Sequence, residues 1–174
     1  MPSSEPPRPP RPRRSPQSRG GSAERLQREP RPPATLTLRR PLKDVRPRAL
    51  YLFARGLQRH VARGRAFDCL ITGDAEMRRF NRTFRGQDHP TDVLSFPGFA
   101  PHLGDLAISI QRARVQARRF GHTPEMEIRI LMLHGLLHLL GMDHANGDPR
   151  MRRAERRWRS RLGLPCGLIE RVRP

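Results

Sequence analysis

Lysine is almost missing from this chain. Of its 35 Lys and Arg residues only Lys43 is a lysine. A GC-rich genome accounts for such a bias as readily as selection does, so the ratio carries no functional weight. Cysteine is scarce too. Cys69 sits in the apolar run FDCLI and Cys166 in the turn LPCGL. Two cysteines so far apart make neither a disulfide framework nor a paired-cysteine zinc site, and a reducing, intracellular compartment fits. Long apolar runs are absent as well. The longest, over 128–142, is broken by Arg129, His134 and His138. It falls short of the roughly 18 residues of a membrane span and reads as a core helix. No membrane partner is expected.

The N-terminus lacks the apolar stretch of a secretory signal. Ten prolines in the first 33 residues also prevent the amphipathic helix of a presequence. Residues 1–33 are therefore expected to be a disordered Pro/Arg-rich tail, and residues 34–174 a single compact domain. Acidic residues are in the minority, 16 against 35 basic ones, for a formal charge of +19. The tail holds eight Arg and three Glu, which leaves +14 on residues 34–174. The folded part is basic by itself, and a polyanion such as nucleic acid is its natural partner.

Apolar periodicity predicts the element order β-α-β-α-β-β-α-α-α. The strands are TLTLRR (35–40), RAFDCLI (65–71), VLSF (93–96) and LGDLAIS (103–109). A first helix runs over 48–63 and a second from Gly73-Asp74 through Phe80, followed by a polar loop, NRTFRGQDHPTD. A basic helix ends at Gly121. Thr123-Pro124-Glu125 supplies a capping hydroxyl, a first-turn proline and an acid for a helix reaching about Leu140. A final helix opens at Asp148-Pro149 with an apolar stripe of Met151, Ala154, Trp158 and Leu162. The implied architecture is α+β: a small mixed sheet, about five helices, and the histidine-bearing helix packed beneath the sheet.

HGLLHLLGMDH (134–144) carries the chemistry. On a helix, His134 and His138 stand one turn apart on one face. Gly141 can take a left-handed conformation that turns the chain back and brings His144 to a third corner. Zinc held by three protein ligands keeps a position open for water or substrate, the catalytic rather than the structural arrangement. Asp143 is a candidate acceptor behind the ligands. Peptidases with this histidine spacing carry a glutamate after the first histidine as general base. Here that residue is Gly135, and Glu125 and Glu127 lie too far upstream to replace it. His60, His89, His102 and His122 lack the pattern and are expected on the surface or in loops.

Three segments, FRGQDHPTDVLSFP (84–97), LGDLAIS (103–109) and HGLLHLLGMDH (134–144), resemble the YbeY family of bacterial rRNA maturation endoribonucleases. The similarity spans most of residues 35–164. It implies a zincin-like fold and one zinc ion held by His134, His138 and His144. It further implies a cytoplasmic, single-strand-specific endoribonuclease that matures the 3′ end of small-subunit rRNA and acts in ribosome quality control. Its company would be pre-rRNA, small-subunit ribosomal proteins and a ribosome-assembly GTPase. The family's functional arginine falls on Arg85, a residue whose planar fork suits a phosphate. Met142 stands where the family usually has an aromatic, and the tail has no matching counterpart. Asp92 and Ser95 are read as ordering the approach to the strand, without a catalytic role. Whether the ribose 2′-hydroxyl or water attacks stays open. So do two rival readings, a non-catalytic ribosome-assembly factor braced by zinc and a zinc peptidase.

Overall fold

The computed structural model describes residues 33–39, 42–143 and 149–165. Both the expected tail, up to residue 32, and His144 lie outside them. The order is β1 (Thr35–Leu38), α1 (Pro47–His60), β2 (Ala66–Thr72), α2 (Asp74–Arg85), β3 (Val93–Pro97), β4 (His102–Ser109), α3 (Ile110–Phe120), α4 (Pro124–Leu139) and α5 (Pro149–Arg161). The sheet is mixed, in the order β1-β2-β4-β3. β1, β2 and β4 run parallel, and β3 joins β4 antiparallel at the edge. Among the described residues no helix is long and apolar enough to cross a membrane.

The sheet's two faces are covered unequally. Alternation along β3 and β4 sends Leu106, Ile108 and Val93 into the main core with α1, α4 and Met151 of α5. It sends Leu94 and Ala107 to the other face, against Met77 and Phe80 of α2. α4 is the centre of the main core, with 12 of its 16 residues buried. Each fully buried leucine or isoleucine there contributes about 1.5–3 kcal/mol, which outweighs the cost of placing two histidines on the same helix. The helix starts as its sequence dictates: the Thr123 hydroxyl accepts from Met126 N–H at 3.2 Å, with Pro124 in the first turn.

One element is longer than the sequence predicts. α2 runs on to Arg85 instead of stopping at Phe80, so Asn81–Arg85 is helix and Arg85 ends a helix rather than lying in a loop. The polar look of NRTFR hides the reason. Asn81 is 1% exposed and its amide donates to the His89 carbonyl at 2.8 Å. Gly86, at φ 68°, then supplies the left-handed stop.

Carboxylates tie the elements together. Glu125 accepts from the backbone N–H of Arg46 (3.0 Å), from its guanidinium (3.1 Å) and from Arg129 (2.7 Å), joining α1 to α4. The Arg46 guanidinium, with its backbone N–H and Arg129 in support, holds the Glu125 carboxyl below its usual range against the opposing pull of burial. Glu76 is lowered likewise, first by the Thr72 hydroxyl and then by Arg39. A depressed folded-state pKa contributes stability that is fully present above the unfolded value of about 4.3 and is lost as pH falls through the folded value. Melting temperature should therefore hold from pH 7 to about 5 and fall in more acid buffer, with a shallower fall in Glu125→Gln. A Glu125→Gln profile parallel to wild type would exclude this carboxylate as a cause.

Candidate metal centre

α4 carries His134 and His138 one turn apart, and their Nε2 atoms face each other at 3.2 Å. The rings meet edge to face, with centroids 4.9 Å apart. Two nitrogens about 2.05 Å from a tetrahedral ion stand about 3.3 Å from one another, so the spacing suits a shared zinc. The other nitrogen of His134 is committed. Its Nδ1 lies 3.0 Å from Oε1 of Glu155 on α5, with Glu155 2% and His134 6% exposed. A carboxylate behind an imidazole fixes ring and tautomer, which leaves the Nε2 lone pair for a cation. The donor set therefore fits a zinc-type ion.

The chain then turns as predicted. Gly141 takes φ 78°, its N–H donates to the His138 carbonyl (2.9 Å), and Met142 N–H donates to the Leu137 carbonyl (3.1 Å). This paired closure is the left-handed helix stop expected at Gly141.

Position 135 explains itself through packing. A Cβ there would meet Leu106 Cδ2 at 2.8 Å, Val93 Cγ2 at 3.1 Å and Ser95 Oγ at 3.2 Å. α4 thus crosses β3 and β4 at van der Waals distance, and the Ser95 hydroxyl donates to the Gly135 carbonyl at 3.1 Å. A peptidase-type glutamate has no room. The upstream acids are engaged elsewhere: Glu125 with Arg46 and Arg129, and the fully buried Glu127 with His122.

Asp92 and Ser95 have the structural roles read for them. Asp92 accepts from Val93 N–H (2.8 Å) and from Gln116 of α3 (2.8 Å), pinning the start of β3. Arg85 is exposed in the last turn of α2, on the opposite face of the sheet from α4, and among the described residues it has no carboxylate partner. Cys69 is buried, and burial first, then Asp68, pushes its thiol up to about 12, which makes it inert.

His122 lies in the connection between α3 and α4, as expected, although its side chain is only 11% exposed and is held by Glu127. His102 opens β4, and its Nε2 lies 3.2 Å from Asp105 and 3.9 Å from Asp68 of β2. The ligand atoms of Asp68, His102 and Asp105 all fall within 4.8 Å of one another, a donor set that could hold a metal ion. Asp68 and Asp105 are direct partners across the parallel ladder, on the sheet face away from α4. Thr35 donates to Asp68 as well. These side chains are a third to two thirds exposed, as in ordinary surface ion pairing. The histidine pair on α4 is the more enclosed of the two sets. Glu155, its partner, was missed in the sequence. The available signal was its place on the α5 stripe, four residues after Met151 and three before Trp158.

Known proteins share this framework. The solution structure of TM1509 from Thermotoga maritima superposes with a TM-score of 0.52 at 26% identity, covering 74% of this chain and 92% of that one. A Solibacter usitatus protein named Endoribonuclease YbeY is 62% identical over 139 residues, 80% of this chain and 95% of the relative. One of the same name from Chloroflexus aggregans is 47% identical over 110 residues, 55% of this chain and 72% of the relative. The family described as Endoribonuclease YbeY matches residues 46–163, from the first helix through the carboxylate behind His134. By this match, and by the relatives that share it, the chain belongs to the YbeY family.

Proposed function

We propose that this protein is a metal-dependent, single-strand-specific endoribonuclease of the cytoplasm that matures the 3′ end of small-subunit rRNA and serves ribosome quality control. The name of its relatives supplies the activity. The single observation that supports the metal is the pair of facing Nε2 atoms backed by buried Glu155. His134, His138 and, by its spacing after the Gly141 turn, His144 would hold one zinc ion, which supplies Lewis acidity to a phosphodiester oxygen. Glu155 orients His134, and Gly135 lets α4 lie close against the sheet. Arg85 offers two parallel hydrogen bonds to a phosphate and stabilises the charge that develops there. Exposed arginines of α3 and α5 attract the RNA backbone. Small-subunit ribosomal proteins and an assembly GTPase are the partners that family membership implies.

The test is one matched assay of purified protein on single-stranded RNA and on a casein-like peptide, each with and without chelator, beside His138→Ala purified in parallel. RNA cleavage should be lost with chelator and in His138→Ala. It should fall about 10²- to 10³-fold in Arg85→Ala, the cost of removing one transition-state donor. Peptide cleavage would instead favour the peptidase, although position 135 has no space for its base. Bound metal without any cleavage would favour the assembly factor.

A further inference from the structure

Phe84 is 64% exposed, in the last turn of α2. Its ring is not loose. It meets Phe96 of β3 edge to face, with centroids 5.0 Å apart, and Phe96 in turn meets Phe80 at 6.1 Å. Phe80 and Phe96 pack on the buried cluster of Met77, Leu94 and Ala107. One side of Phe84 is thus braced by the core while the rest faces water. Arg82 and Arg85 occupy the same helical turn. Arg82 pairs with Asp88 at 3.7 Å, whereas Arg85 has no carboxylate partner among the described residues.

A single braced ring among guanidiniums, on a domain of net charge +14, is too small and too cationic for an apolar protein interface. It has the composition of a stacking site for single-stranded nucleic acid, where an aromatic face takes a base and neighbouring arginines take the phosphates. Its position agrees. β3 is an edge strand of the sheet, and successive side chains of a strand point to opposite faces. Ser95 touches Gly135 of the histidine helix, while Phe96 touches Phe84. A strand of RNA held at Phe84 therefore needs only to cross the free edge of β3 to approach His134 and His138.

We propose that Phe84 stacks on an unpaired base of the bound RNA, with Arg85 and Arg82 holding the flanking phosphates. This rests on the endoribonuclease reading, in which Arg85, the residue next to Phe84, takes a phosphate of the same strand. It also accounts for single-strand preference, since a base in a duplex has no free face to offer.

The test is binding of the full-length, metal-loaded protein to a labelled 2′-fluoro uridine decamer, followed by anisotropy, with a gel confirming that the probe is intact. A decamer of the same length carrying abasic residues serves as the second probe. Phe84→Ala should weaken the uridine decamer by about 5- to 150-fold. Phe84→Leu, which keeps apolar contact with Phe96 but has no π face, should lose nearly as much. Phe84→Trp should bind at least as well as wild type, and all four proteins should bind the abasic decamer equally. Unchanged affinity for the uridine decamer in Phe84→Ala would overturn the proposal, as would an equal loss on the abasic probe. The two readings fail separately. Phe84-dependent binding without RNA cleavage by wild type would remove the catalytic reading and keep the stacking site. Cleavage with no Phe84 dependence would do the reverse.

Discussion

Gly135→Glu is expected to lower the melting temperature by about 10 °C or more, or to yield no folded protein. The helix approaches β3 and β4 so closely at this position that even a Cβ would lie 2.8 Å from Leu106. A carboxylate driven into that contact would be buried without a cationic partner, at a cost of about 3–5 kcal/mol. For a domain of this size each kcal/mol moves the midpoint by about 2–4 °C. Gly135→Ala should be far milder, because the Leu106 methyl can yield and the helix gains about 1 kcal/mol on replacing glycine. Thermal unfolding by circular dichroism reads both. A well-folded Gly135→Glu protein, above all one that cleaves peptide, would show that the position faces open space, and the case against a peptidase would be lost.

Glu155→Gln should weaken zinc binding by about 10- to 100-fold, the usual consequence of removing a carboxylate behind a ligating imidazole. The amide can still accept from Nδ1–H, so the fold should survive while the ligand loses basicity. Competition against a chromophoric chelator measures the affinity directly. His138→Ala, which removes a ligand itself, should abolish stoichiometric binding, and His102→Ala should leave it unchanged. Loss of zinc in His102→Ala with Glu155→Gln unaffected would move the ion to Asp68, His102 and Asp105 on the other sheet face. The two sets lie on opposite faces of the sheet, which keeps the comparison clean.

What could be read from the chain in advance was whatever depends on local pattern. The nine elements follow from apolar periodicity and from punctuation such as Thr123-Pro124 and Gly141, and so does the i, i+4 pairing of His134 with His138. What escaped depends on contacts distant in sequence. Asn81 looks like loop material until its amide is seen to reach His89. Glu155 looks like one more charge on an arginine helix until α5 docks on α4, 21 residues away in sequence. His102 gains Asp68 only through the register of β2 against β4. Gly135 was legible as a missing base; that it is also a packing requirement needed the sheet.

The link from Glu155 to His134 also gives the protein an internal optical reporter. Trp158, the sole tryptophan, lies three residues beyond Glu155 on α5, with the Arg157 and Arg161 guanidiniums 5.9 and 5.4 Å from its ring centre. Anything that loosens the imidazole–carboxylate tether also loosens the seat of this indole. Its emission should therefore shift when the ion is withdrawn, and loading of the centre can be followed in solution without a label.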